Sequence, residues 1–248
     1  MSVNRNPKSD VTPANQTVKG RTRPTSASDA VSRRQELRRA QRQLRKADPV
    51  IGAYIDRRPN FDPRSWLDDL PPMDLFGSLI FQITGQQLSV AATRRTLERI
   101  TSLFEGHLPS PQDLLAADPG DLRAAGLSWR KVGTLRDLAE RLSDGRLEVE
   151  RLSTLPDDEF ISELIAVPGI GPWTAQGALL VALRREDVVL PGDLALRKAV
   201  RRAYQLDHLP NEAEVLEIAE KWRPYRSLAT SYLFASAYEV EDVEGPSR

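Results

Sequence analysis

The sequence predicts an all-α fold, and three observations carry that expectation. From residue 49 onward, almost every segment repeats its apolar side chains at a 3.6-residue period. The connectors between those segments are short and rich in Pro, Gly and Asp, the residues that start and stop helices. No stretch sustains the period-two alternation of a half-buried strand, and Asp187-Val-Val-Leu190 is short enough to be an extended linker.

Taken in order, residues 1 to about 28 are rich in Ser, Thr, Asn and Pro. With so few apolar side chains they cannot offset the entropy of ordering, so disorder is expected there. Residues 30–46 read as a basic helix with a thin apolar seam, Leu37 and Leu44 seven apart among arginines. This gives a basic arm over residues 1–45 and a folded domain over 46–248, entered at Asp48-Pro49. Within the domain, helices are expected over residues 49–57, 73–85, 89–104, 111–117, 119–125, 129–143, 156–166, 172–184, 193–204, 211–221 and 224–238. The family resemblance set out below implies two packed helical subdomains with a cleft between them. Residues 46–88 plus 189–240 form one, residues 89–188 form the other, and the latter carries a hairpin over 156–184.

Composition narrows the chemistry. The 248 residues are 40% hydrophobic, enough for a proper core, and contain no run of about 18 apolar residues that would span a membrane. The N-terminus has no apolar block behind its positive charges, so no secretory leader is expected and the localisation reads as cytoplasmic. Cysteine is absent, which removes disulfides, thiolate zinc sites, iron–sulfur clusters and cysteine nucleophiles. His107 and His208, far apart, make a poor start for a histidine metal site. The net charge of zero hides an asymmetry: residues 1–45 hold eleven Lys/Arg against three Asp/Glu. A basic arm on an acidic body suits a polyanionic partner, and equally serves as a solubilising tail.

One joint stands out. Ile165-Ala-Val-Pro-Gly-Ile-Gly-Pro-Trp173 sets a Pro-Gly-x-Gly corner between two apolar, helix-like runs. Pro156-Asp-Asp-Glu159 suits the first turn of the incoming helix. Two helices joined through Gly169 and Gly171 make a tight hairpin in which backbone can approach a partner closely. The amides opening the second helix form a ready anion site. Such a site grips a DNA phosphate without reading sequence. The same corner also reads as an ordinary helix–helix turn, and Trp173 as core packing. Twenty residues on, Leu190-Pro-Gly-Asp193 feeds a basic helix and puts Asp193 at its N-cap. An N-cap carboxylate is most often only a cap. A negative group in a dry pocket is also what a cationic transition state requires.

These segments together resemble the helix-hairpin-helix DNA glycosylase superfamily, most closely its 3-methyladenine DNA glycosylase II (AlkA-type) branch. Three further stretches agree in order. Ile83-Thr-Gly-Gln-Gln-Leu-Ser-Val-Ala-Ala92 is similar to the branch's Gly-Gln-rich segment. Ala125-Gly-Leu-Ser-Trp-Arg-Lys-Val132 resembles the helix before the hairpin, and Trp222-Arg-Pro-Tyr-Arg-Ser227 its C-terminal WRPWRS motif. The resemblance spans about residues 70–240.

It implies an enzyme of base excision repair acting on double-stranded DNA with alkylated bases. The enzyme flips a purine of the 3-methyladenine or 7-methylguanine type into a pocket and breaks its N-glycosidic bond. Asp193 matches the family's catalytic aspartate, and Trp173 and Phe234 match pocket aromatics. Relatives that also nick the strand carry a lysine where this chain has Trp173. A monofunctional, monomeric enzyme is therefore implied, leaving an abasic site for a downstream endonuclease.

The DNA-binding set implied is Gly169, Ile170, Gly171 and Thr174 at the hairpin, the wedge candidates Gln87 and Leu88, and Arg197. For Arg197, salt bridging is an equal expectation. No cofactor is required. The hairpin carbonyls of Ile165, Val167 and Ile170 are implied to hold a structural monovalent cation, Na or K.

Two departures matter. A pocket tyrosine of the branch corresponds to Gly177, which is expected to enlarge or open the pocket. The branch's wedging leucine corresponds to Gln87, with Leu88 beside it. A non-catalytic damage-binding module and a glycosylase for deaminated or oxidised bases remain the competing readings, the latter resting on Gly177. Asp68-Asp69 and Asp157-Asp158 read as helix starts, and Arg94, Arg95 and Arg99 as a solvated face.

Overall fold

The computed structural model describes residues 27–65 and 73–244. The expected disorder of the first residues and the Asp68-Asp69 helix start lie outside them. Among the described residues, all regular structure is helical. The first helices are α1 (Ala27–Ala47), α2 (Pro49–Arg57), α3 (Leu75–Gly85) and α4 (Val90–Leu103). Then follow α5 (Pro111–Ala116), α6 (Pro119–Ala124), α7 (Trp129–Ser143), α8 (Val149–Thr154) and α9 (Asp157–Ile165). The series closes with α10 (Pro172–Val181), α11 (Leu194–Ala203), α12 (Glu212–Glu220) and α13 (Arg226–Glu244). No helix among the described residues is long and apolar enough to cross a membrane.

The helices pack in two sets around one continuous apolar core. One set is α1, α2, α11, α12 and α13; the other runs from α3 to α10. The division expected from the sequence put residues 46–88 wholly with the first set, but α3 packs on α4, α7, α8 and α10. Its sequence explains the difference: nine of its eleven residues are buried, and a helix apolar on all sides belongs at the centre of a bundle.

α1 is a second correction. The reading that detached residues 1–45 as an arm does not hold for its helical part, because Ala40, Gln41 and Leu44 are buried. Leu37, Ala40, Gln41 and Leu44 fall at i, i+3, i+4 and i+7, a full core-facing stripe in which only the two leucines are conspicuous. Gln41 Nε2 donates to the Tyr232 hydroxyl of α13 at 2.8 Å, which satisfies a buried amide and pins α1 to the body. The short α8 went unpredicted because six residues with one buried side chain, Leu152, show no period.

The junction between α1 and α2 holds a buried carboxylate. Asp48 caps α2 through the Val50 amide at 2.9 Å, and its other oxygen accepts from Trp222 Nε1 at 2.7 Å and from the Tyr204 hydroxyl. Lys221 Nζ stands 3.3 Å from the same oxygen and 4.6 Å from the centre of the Tyr204 ring. Burial works to raise the Asp48 carboxyl, but the hydrogen bonds from Tyr204, Trp222 and Val50 and the nearby ammonium outweigh it and hold it below the usual range. Tyr204 is the C-cap of α11, so this network anchors the far end of the helix that Asp193 begins.

Candidate DNA interface and active site

The corner between α9 and α10 is built by glycine. Gly169 has φ +91, and a Cβ added there would stand 2.0 Å from Thr134 Oγ1, so the turn lies directly on α7. Gly171 caps α10 without any side-chain hydrogen bond, and a Cβ added to it would meet nothing. The amides of Gly169 and Gly171 find no acceptor among the described residues. Two unengaged N–H groups at the mouth of a helix form a concave anion site.

The other corner residues divide by burial. Ile170 is 4% exposed and belongs to the apolar core. Thr174 is also buried, and its hydroxyl accepts a hydrogen bond from Gln86 Nε2 at 3.0 Å. The Thr174 side chain thus ties the hairpin to the turn after α3. Among the expected cation ligands, the Val167 carbonyl accepts from the Ile170 amide at 3.0 Å, while those of Ile165 and Ile170 accept no backbone donor among the described residues. Three carbonyls with spare lone pairs are the oxygen chemistry that a hard monovalent cation takes.

Asp193 stands where the sequence put it, at the N-cap of α11. Its Oδ1 accepts the Leu196 amide at 2.9 Å, and its Oδ2 accepts Trp173 Nε1 at 2.7 Å. The tryptophan at the opening of the hairpin helix thus orients the carboxylate that opens the next. Both oxygens are held, and each keeps a lone pair for another partner. The segment leading to Asp193 is clamped from behind by the Trp222–Ser227 stretch. Ser227 Oγ accepts the Val188 amide at 2.9 Å and donates to the Arg185 carbonyl at 2.6 Å, while Arg226 Nε lies 2.8 Å from Asp187. A carboxylate positioned this firmly needs little reorganisation when positive charge develops beside it.

The remaining expected site residues are scattered in role. Phe234 is half-buried on α13, which packs against α11. A Cβ at Gly177 would stand 2.5 Å from the Gln82 side chain, so the amide end of that α3 residue lies where a larger side chain would begin. Arg197 is turned to the fold, its Nε donating to the Pro210 carbonyl at 2.6 Å. It fastens the loop before α12, a role that neither a DNA contact nor a salt bridge anticipated. Gln87 and Leu88 are exposed at the tip of the turn joining α3 and α4. A separate cleft of about 610 Å³, lined by Tyr54, Arg57, Phe61 and Arg202 among others, lies at the C-terminal end of α11, away from Asp193.

A glycine-built corner joins two helices, and an N-cap aspartate held by a tryptophan of the second helix follows it, which is a helix-hairpin-helix arrangement. Comparison with known proteins gives the family. Residues 80–224 match the model of the HhH-GPD superfamily base excision DNA repair proteins, and the chain belongs to that superfamily.

Among its relatives is DNA-3-methyladenine glycosylase 1 of Schizosaccharomyces pombe. It is 31% identical over 194 residues, which cover 76% of this chain and 82% of that protein. DNA-3-methyladenine glycosylase 2 of Escherichia coli is 30% identical over 173 residues, 65% of this chain and 57% of that one. The chain thus spans little more than half the length of the Escherichia coli relative, as it does of a Bacillus subtilis relative, at 56%. The solved Schizosaccharomyces pombe 3-methyladenine DNA glycosylase Mag1, in complex with abasic DNA, superimposes with a TM-score of 0.72 at 28% identity. The match covers 81% of this chain and 97% of that one.

Proposed function

We propose that the protein is a monofunctional DNA glycosylase that flips alkylated purines out of duplex DNA and hydrolyses their N-glycosidic bond, leaving an abasic site. The observation that carries this reading is the Trp173–Asp193 hydrogen bond of 2.7 Å, set one helical turn from the open amides of the hairpin. The hairpin amides grip a backbone phosphate, which positions the duplex without reading its sequence. A monovalent cation on the carbonyls of Ile165, Val167 and Ile170 would add positive charge against that phosphate.

Breaking the bond from C1′ to the base nitrogen leaves an oxocarbenium-like sugar, and the Asp193 carboxylate stabilises that charge and orients the attacking water. A 3- or 7-methylated purine already carries positive charge. It departs as a neutral base without a general acid, and an aromatic wall such as Trp173 attracts it by about 0.5–2 kcal/mol. The names and structure of the relatives agree with this lesion class. The alternative reading for deaminated or oxidised bases rests on the glycine at position 177, beside which the end of the Gln82 side chain lies.

The absence of an amine at position 173 leads to a clean test. A duplex carrying one 7-methylguanine should lose that base, and its strand should break only after alkali treatment. Borohydride added during the reaction should trap no covalent protein–DNA species. A nicked strand without alkali, or a trapped adduct, would show that another amine performs lyase chemistry and would overturn the monofunctional assignment.

A further inference from the structure

Residues Gly85-Gln86-Gln87-Leu88 form a tight turn between α3 and α4. Gln86 has φ −51 and ψ 124, Gln87 has φ +59, and the Leu88 amide closes the turn on the Gly85 carbonyl at 3.0 Å. This is the pattern of a type II turn, whose third residue is ordinarily glycine because its φ is positive. Here that residue is a glutamine, and a side chain in the left-handed region is strained. A type I turn over the same four residues differs chiefly by a flip of the peptide joining 86 and 87, and would return Gln87 to negative φ. The observed form therefore needs something to hold that peptide.

Lys131 holds it. From the first turn of α7, its Nζ donates to the Gln86 carbonyl at 2.8 Å and to the Thr84 carbonyl at 2.8 Å. The Gln86 carbonyl belongs to the peptide that would flip, so the flip breaks that bond. Partial burial pulls the Lys131 ammonium below the usual lysine range, and both of its hydrogen-bond acceptors are main-chain carbonyls. The turn is also tied on its other side, where Gln86 Nε2 donates to the Gly169 carbonyl at 3.1 Å and to Thr174 Oγ1 at 3.0 Å. With α7 and the hairpin holding Gln86, the two side chains left outside are Gln87 and Leu88, the latter 42% exposed.

We propose that Lys131 is a positioning residue: it locks the 85–88 turn in its strained form, so that the side chains at the tip enter the base stack when a nucleotide is flipped. The proposal rests on the base-flipping reading above. An inserting side chain works against base stacking, and a turn free to flip its peptide yields instead of pushing. Because Gln86 reaches the Gly169 carbonyl, the same lock also sets the tip at a fixed distance from the phosphate-gripping corner. Lys131 touches neither the base nor the sugar in this account; it acts through the turn.

The test uses the full chain and a duplex carrying 2-aminopurine next to a tetrahydrofuran abasic-site analogue, whose fluorescence rises when the neighbouring stack is opened. The wild type should raise the signal. Lys131→Met should weaken the insertion equilibrium about tenfold, the scale of one released left-handed residue. Affinity for undamaged duplex should stay within about twofold, because the hairpin amides are untouched. Lys131→Arg keeps donors on a long stem and should recover most of the signal.

The lock is overturned if Lys131→Met melts at a lower temperature yet opens the stack as the wild type does, because the lysine is then only a helix cap. It is equally overturned if the wild type gives no fluorescence change. If the variants separate as expected but the wild type releases no base from methylated duplex, the lock stands and the catalytic reading fails.

Discussion

Replacing Asp193 by Asn should lower the single-turnover rate of base release about a hundredfold or more, while binding to undamaged duplex changes little. The substitution keeps the shape of the side chain and removes its charge. Asn is as good an N-cap as Asp, so α11 should still form and the melting temperature should move by only a degree or two. What Asn cannot do is accept twice at the positions Asp193 uses. Its single oxygen can take the Leu196 amide or the Trp173 indole, and the NH₂ group then faces whichever donor remains. The loss therefore combines a missing negative charge with a loosened tryptophan.

Trp173→Phe separates the two contributions. It leaves the charge and frees the carboxylate, so its loss should be smaller than that of Asp193→Asn. If Trp173→Phe is the more damaging of the two, the indole does more than orient the acid, and its contact with the base dominates.

Asp48→Ala should destabilise the fold by about 3 kcal/mol, measured by urea unfolding at neutral pH. The buried Trp222 indole and the Tyr204 hydroxyl both lose their carboxylate acceptor, α2 loses its cap, and Lys221 loses its partner. The pH dependence follows from the depressed carboxyl of Asp48. A carboxyl whose folded value lies below its unfolded one contributes in full above the unfolded value, near 3.9, and loses that contribution as pH falls through the folded value. The gap between wild type and Asp48→Ala should therefore be flat through neutral pH and narrow only below about pH 4. A gap that narrows instead on going from pH 6 to 8 would show that a group other than Asp48 matters.

Much of this architecture could be read from the order of residues. Helix positions follow from apolar period and from proline and glycine at the connectors, and the candidate site is legible where its residues are local: Gly169, Gly171 and Trp173 lie within five positions, and Asp193 follows a Leu-Pro-Gly signal. What was not legible depends on contacts between distant segments. The Trp173–Asp193 hydrogen bond joins residues 20 apart, Lys131 and Gln86 are 45 apart, and Asp48 and Trp222 are 174 apart.

Gly177 illustrates the limit best. The missing side chain reads as an opened pocket, but the amide end of Gln82, on a helix far upstream, lies where a larger side chain would begin. Arg197 is similar: a cation one turn past the aspartate suited either DNA or a salt bridge, and the Pro210 carbonyl takes it. α1 was misread for a different reason. Its core face uses Ala40 and Gln41 beside two leucines, too weak a pattern to stand out among arginines.

Whether this chain releases alkylated purines as free bases is measured most directly by identifying what it liberates. Duplex DNA treated with dimethyl sulfate would be incubated with the full chain, and the small-molecule fraction analysed by mass spectrometry. Free 3-methyladenine and 7-methylguanine are expected, with the DNA strands left intact until alkali is added. Duplex that is bound but yields no methylated base, or an enzyme that frees only deaminated or oxidised bases from matched duplexes, would contradict that expectation.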